Sequence, residues 1–411
     1  MMFANNSLVR WLAMAALLCS QVDLLSAQSK REKEEREILE TPEDPHTKAD
    51  PERMKLAGVV AYQPFSWSPR HRTTDVDRVL GERRILWMET EHFVIGSLLL
   101  GCPLPEKAEE RKQLYAELAE LRKKLPKLPK RPRRLDPWLR VHLYAHRAEK
   151  LYAEFAEMVG APVAVEATGK PPPGGPYLGM TNKFQILLCQ KKSDLARYLD
   201  RFLNVRADHA YRYYVNQDQL MMFASALDIG EDKIRETGFH GHFVYMMAHN
   251  MVGGFRQYNN SVPHWLAEGI AHYYSRKVET DFINVEIRDS DAVNQDDQHE
   301  WQKKVRARAR HDGATVPFAK MRQWRDWGKL NYQDHIQSWS RLDYLMSLGP
   351  ERVGALLRRL KDLPMPPNSM GVDPDLVRAV ETQALMELFE LDEQGFDDRW
   401  RAWVKKAYRK Y

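Results

Sequence analysis

One pair of predicted helices limits the possible folds of this 411-residue chain more than any other feature. The first helix contains His249 and Asn250, and glycines at Gly253 and the next position weaken or end it, because glycine costs about 1 kcal/mol relative to alanine. The second helix begins near Pro263, which suits a first helical turn, and contains Glu268. Its apolar stripe is formed by Trp265, Leu266 and Ile270. The pattern predicts a cleft with His249 on one helix and Glu268 on the other.

The spacing of these residues is that of an H-E-x-x-H…E zinc site. In such a site, two histidines four positions apart share the ion, and the intervening glutamate takes a proton from the metal-bound water. His249 and Glu268 occupy the first and third ligand positions. Asn250 occupies the base position, where an amide accepts no proton at neutral pH, and Gly253 replaces the second histidine. The sequence therefore predicts that the base and one ligand are lost together.

Residues 238–277, and 265–271 above all, resemble the core of gluzincin-type metallopeptidases, also called the peptidase MA-like superfamily. A weaker similarity to secreted, uncharacterised members of that group spans residues 85–408. The resemblance implies an α+β fold in which a small mixed sheet packs on the active-site helix pair, with a helical C-terminal part. Because Asn250 and Gly253 depart from the family pattern, we expect a non-catalytic pseudopeptidase that binds a peptide or protein through the former active-site cleft.

Two alternatives stay open at this point. His272 follows Glu268 by four positions on the same helix face, so a rewired zinc site of His249, Glu268 and His272 is geometrically conceivable, which would make the protein an active zinc metallohydrolase. His264 lies four positions before Glu268 on the same helix. His242 lies about 10 Å from His249 along the first helix, so these two histidines are too far apart to bind the same ion. His249 and Glu268 are expected instead to pair as imidazole and carboxylate in the core between the helices, without a metal ion, so no cofactor is expected. The other alternative is a purely structural secreted domain with no ligand.

The N-terminus predicts export. Residues 1–27 have the pattern of a signal peptide, with a short apolar segment and a cleavage site before Gln28. The apolar segment is too short for a comfortable transmembrane span, so a periplasmic, cell-envelope or extracellular protein is expected, and an uncleaved anchor stays open. A charged, flexible leader is predicted over 28–57, a mixed strand–helix part over 58–235 and a helical part over 236–411.

The remaining observations concern composition and local pattern. The net charge of +5 is small for this length and no recognition motif is present, so no nucleic-acid partner is expected. Outside the predicted signal, Cys102 and Cys189 could form one disulfide or stay as two separate thiols. Strands are predicted over 87–95, 184–189 and 220–224, and amphipathic C-terminal helices over 338–346, 352–363 and 396–404.

Overall fold

A computed structural model describes most of the chain from residue 43 to residue 408. The described residues exclude positions 69, 82–83, 163–174, 231–234, 279, 281–283, 285–299, 312, 367–368 and 370. The predicted signal peptide over 1–27 and the first part of the leader therefore lie outside the described residues. No helix in the described part of the chain is both long and apolar enough to cross a membrane.

Six strands form one mixed sheet, and two pairs of short strands lie beside it. The strands within the described residues are β1 Ala61–Tyr62, β2 Ser66–Ser68, β3 His71–Arg72, β4 Leu86–Glu89, β5 Phe93–Ser97, β6 Cys102–Pro103, β7 Arg134–Leu135, β8 Phe184–Cys189, β9 Tyr211–Val215 and β10 Leu220–Ala226. The large sheet has the order β1-β4-β5-β8-β10-β9. Its central strands β5, β8 and β10 are parallel, and its outer pairs are antiparallel.

Helices make up the rest of the described architecture and almost all of its second half. They are α1 Pro51–Ala57, α2 Thr73–Val79, α3 Ala108–Lys124, α4 Pro137–Val159, α5 Lys192–Tyr198, α6 Glu236–Gly254, α7 His264–Val278, α8 Trp301–Arg308, α9 Phe318–Met321, α10 Tyr332–Leu348, α11 Pro350–Lys361, α12 Pro374–Phe389 and α13 Glu393–Ala407. The predicted α+β fold with a helical C-terminal part is confirmed. The single strand predicted over 87–95 is instead the antiparallel pair β4 and β5.

The central strands β5, β8 and β10 are mostly apolar and are buried along their whole length. In β8, Ile186 and Leu188 face the main core with the long helices, whereas Leu187 and Cys189 face a second apolar cluster. A continuous apolar run is expected for a strand that is covered on both sides. The main core extends from Val59 to Tyr408, so the two parts predicted over 58–235 and 236–411 share one hydrophobic core.

The last part of the predicted leader, residues 43–57, contains helix α1 and contacts the core. Helix α1 begins with a hydrogen bond from the Arg53 amide to the side chain of its N-cap, Asp50. Upstream, the buried carboxylate of Asp44 accepts a hydrogen bond from the Thr47 hydroxyl and lies 2.9 Å from Nε2 of His142 in α4. The many charged residues of the leader favour exposure to solvent, but the carboxylate of Asp44 attaches residues 43–57 to the core.

Cys102 and Cys189, both within the described residues, are free thiols. Cys189 is buried in the second apolar cluster behind the sheet. Cys102 is half-buried, with its sulfur 3.8 Å from Oε2 of Glu236. Of the two states left open by the sequence, the structure has the separate thiols.

Helix α7 lies between α6 and α10, and one glycine determines how closely α10 approaches. A Cβ atom added at Gly269 would lie 2.9 Å from the backbone oxygen of Ser338 and 2.9 Å from Cβ of Leu342. Such contacts are too short for any residue with a side chain, so only glycine permits this approach. The close packing brings the N-terminal half of α10 against the residues that follow Glu268.

Replacing Gly269 with alanine should weaken the contact between α7 and α10. Because the Ser338 oxygen belongs to the helix backbone and cannot rotate away, we expect a loss of about 1–3 kcal/mol in the free energy of unfolding, measured by urea titration. Gly253→Ala is the matched control, since its Cβ would lie at an ordinary 3.5 Å from Cε of Met221. A Gly269→Ala protein as stable as wild type would contradict this packing.

Candidate functional site

The buried carboxylate of Glu268 is the centre of a polar cluster drawn from three helices. Tyr245 of α6 donates to it, with its hydroxyl 3.1 Å from Oε1 and 3.0 Å from Oε2. His272, one turn later on α7, places Nε2 3.2 Å from Oε2. His335 of α10 places Nδ1 3.1 Å from the same oxygen. His249 of α6 lies beside the other oxygen, with Nε2 3.6 Å from Oε1.

The structure brings together two of the three residues proposed for a rewired metal site. Glu268 and His272 meet as their four-residue spacing predicts. His249 is adjacent to Glu268, but its nitrogen is beyond hydrogen-bond distance and has no hydrogen-bond partner among the described residues. The predicted pairing of His249 with Glu268 is therefore a close approach and not a hydrogen bond.

The third residue of the group that could bind a metal ion is His335, which the sequence did not predict. The ligand atoms of Glu268, His272 and His335 all lie within 4.8 Å of one another, and this group could hold a metal ion. His249 lies outside that group. The only local signal at His335 is a histidine at the start of an amphipathic helix, 67 positions from Glu268. That signal does not reveal which helix it will meet.

Burial and the neighbouring imidazoles shift the pKa of Glu268 in opposite directions. Burial alone would raise its pKa, but His335, His249 and His272 hold the pKa well below its usual range. Burial lowers the pKa of His272 to about 4 despite the adjacent carboxylate. The cluster therefore combines an ionised carboxylate with a neutral imidazole at neutral pH, and these are the forms that bind metal ions.

Asn250, at the position of the general base, is enclosed in the protein. Its side chain has no exposed surface, and Oδ1 accepts a long hydrogen bond of 3.4 Å from Nη1 of Arg212. Its Nδ2 has no hydrogen-bond acceptor among the described residues. An amide held in this way cannot take a proton from a water molecule.

Two side chains lie at contact distance from Gly253, the position of the missing second histidine. A Cβ atom at this position would lie 3.5 Å from Cε of Met221 and 3.7 Å from Cε2 of Tyr258. The Gly253 carbonyl, near the end of α6, accepts a hydrogen bond of 2.8 Å from Nζ of Lys361. This lysine is completely buried, and burial lowers its pKa to about 7 from the usual 10.5.

Trp327 covers the motif on its other side. Its ring meets the ring of His249 edge-on, with centroids 5.5 Å apart. It also stacks on the ring of His264 at 3.9 Å, so His264 contacts an indole and does not join the Glu268 cluster. The half-buried Trp327 therefore contacts the rings of both His249 and His264.

A cavity of about 610 Å³ lies on the opposite face of α6. His240 and Val244 of α6 line it. His240 lies nine positions before His249, and Val244 lies nine positions before Gly253. Nine positions are about two and a half helical turns, so the two pairs face opposite sides of the helix. Neither His249 nor any member of the metal-compatible group lines this cavity. Its walls come from α3, α4, α6 and α7 and carry five carboxylates and three basic side chains: Glu110, Glu117, Glu120, Glu154, Glu236, Arg147, Lys150 and Lys277.

Lys361 should give the protein a measurable pH dependence. Its folded pKa of about 7 lies below the usual 10.5, so between these values the unfolded chain binds one more proton than the folded chain. Stability from this group therefore rises as pH increases from 7 to 10. Lys361→Met should remove that rise, measured as the difference in Tm between variant and wild type at pH 7 and pH 10. Lys405→Met, at an exposed lysine, is the control, and a wild-type-like pH slope in Lys361→Met would contradict the prediction.

No protein-family model matches the sequence, and no curated protein matches it. The likeness to gluzincin-type peptidases therefore stays an expectation from the residues around His249 and Glu268. The function of the chain has to be inferred from the contacts that these residues make.

Proposed function

We propose that this protein is an exported, gluzincin-like pseudopeptidase that binds a peptide or protein partner without hydrolysing it. The observation that carries the proposal is the state of Asn250, which stands at the base position with no exposed surface. Peptide hydrolysis by a metal-bound water needs a proton acceptor at this place. An amide contacting Arg212 offers none.

The surroundings of Gly253 and His249 support the same proposal. Met221 and Tyr258 lie at contact distance of a Cβ atom at Gly253, and Trp327 packs edge-on against His249. A substrate carbonyl would need an open site beside the first ligand, with donors already in place. These three side chains of the protein itself border that space.

The cavity on the reverse face of α6 is the more suitable binding surface. Its volume of about 610 Å³ is within the usual range of ligand sites, roughly 300–1,000 Å³. Within it, Arg147 is neutralised by ion pairs to Glu117 at 2.8 Å and to Glu236 at 2.6 Å. Two other glutamates of the lining pair with exposed lysines, Glu120 with Lys123 at 2.6 Å and Glu154 with Lys277 at 4.0 Å. A basic side chain of a partner segment can take the place of these lysines.

Hydrolysis is tested on the full chain, stripped of metal, reconstituted with Zn²⁺ and incubated with a broad peptide library. Mass spectrometry should find no new peptide termini beyond those produced by a Glu268→Ala protein treated in parallel. If wild type cleaves peptides and Glu268→Ala does not, the proposal is contradicted.

Binding is measured on the same library by fluorescence anisotropy. Peptides with lysine or arginine should bind, and Glu120→Gln combined with Glu154→Gln should weaken their binding about fivefold, since two rim charges are removed. Glu109→Gln is the matched control, because Glu109 is an exposed residue of α3 that does not line the cavity. Equal binding by all three proteins, or none by wild type, would argue against this surface.

An active zinc metallohydrolase is the second candidate, and the Glu268 cluster is the observation in its favour. Catalytic zinc sites have three protein ligands and one open position. Glu268, His272 and His335 could supply three ligands, and Nε2 of His249 lies 3.6 Å from Oε1 of Glu268. The hydrolysis experiment separates this candidate from the pseudopeptidase.

A further inference from the structure

We propose that Glu268, His272 and His335 bind one zinc-class divalent transition-metal ion between α7 and α10. This site keeps Glu268 of the sequence motif. Its partner helix is α10 and not α6, which is the first helix of the motif. The inference goes beyond the proposed function, because a metal ion in this place can hold two helices together whether or not any hydrolysis occurs.

The distances between the three ligand atoms fit such an ion. Oε2 of Glu268 lies 3.2 Å from Nε2 of His272 and 3.1 Å from Nδ1 of His335. The two nitrogens lie 3.1 Å from each other. Ligands bonded to zinc at about 2.0–2.1 Å in a tetrahedron are about 3.3 Å apart. The observed distances are therefore within about 0.2 Å of those expected between ligands of one zinc ion.

The three ligand atoms crowd one another when they are joined by hydrogen bonds. A carboxylate oxygen accepts hydrogen bonds, so a nitrogen that bonds to Glu268 must carry a proton. If His272 and His335 both carry that proton, their two N–H groups face each other across 3.1 Å. If only one carries it, its N–H is shared between the carboxylate and the other ring, whose lone pair also faces the carboxylate. A cation that accepts three lone pairs satisfies all three atoms without this crowding.

The kinds of ligand select the class of metal. Two imidazoles and one carboxylate suit Zn²⁺ and neighbouring transition metals, whereas Ca²⁺ and Mg²⁺ prefer sites made of oxygen atoms. All three residues are buried, and none is more than 3% exposed. Tyr245 donates to Glu268 from α6 and orients the carboxylate, as outer-shell partners do in metal sites.

The close approach of α7 and α10 builds the site. Gly269 follows Glu268 directly and allows the backbone of Ser338 to come within contact distance. His335 is three positions before Ser338, so it lies one turn away on the face of α10 that meets α7. On the other side, the ring of Trp301 lies 5.1 Å from the ring of His272 and shields it.

The test is titration of metal-stripped full-length protein with Zn²⁺ by isothermal calorimetry. Wild type should bind one equivalent, and His335→Ala and His272→Ala should each weaken binding at least about 100-fold. His249→Ala should weaken it less than about tenfold, because His249 lies outside the ligand group. His264→Ala, on the same helix as two ligands but stacked on Trp327, is the matched control and should bind like wild type.

A second measurement does not depend on the folding of any variant. X-ray absorption of the wild-type zinc complex should show only nitrogen and oxygen neighbours at about 2.0–2.1 Å. Sulfur in the first coordination sphere, no stoichiometric binding, or a His249→Ala protein that loses as much affinity as His335→Ala would overturn the site. Zinc binding together with peptide cleavage would refute the proposed function and leave this site standing. Absence of both would refute only the site.

Discussion

The buried negative charge of Glu268 is the constraint on which the centre of this fold depends. A carboxylate removed from water costs several kcal/mol unless close partners compensate. Here α6 contributes Tyr245 and His249, α7 contributes His272 and α10 contributes His335, all within 3.6 Å of one oxygen or the other. Three helices are thus held in register around one ionised group, and any large shift of α7 would leave that charge without partners.

The cluster is displaced from the place where the sequence motif predicts chemistry. On the α6 side, Asn250 and Gly253 no longer offer a base or a ligand, and their surroundings are occupied by Arg212, Met221 and Tyr258. On the α10 side, Gly269 permits an approach that delivers a new imidazole. A helix pair with the spacing of a hydrolase therefore surrounds a group better suited to holding helices together, which agrees with the pseudopeptidase we propose.

Much of the local structure could be predicted because it depends on neighbours in sequence. Strand β8, the C-terminal helices and the contact of Glu268 with His272 follow from period and spacing. The missed features are long-range contacts. His335 reaches Glu268 across 67 positions, and Asp44 reaches His142 across 98. No local pattern specifies which distant helix will supply a partner, so the sequence indicated only a charged leader around Asp44 and did not single out His335.

The most direct test is an anomalous-scattering map from crystals of the zinc-loaded protein, recorded on both sides of the zinc absorption edge. The account predicts one edge-dependent peak about 2.0–2.1 Å from Oε2 of Glu268, Nε2 of His272 and Nδ1 of His335. A peak bonded to His249 instead of His335, or no peak beside Glu268, would contradict it.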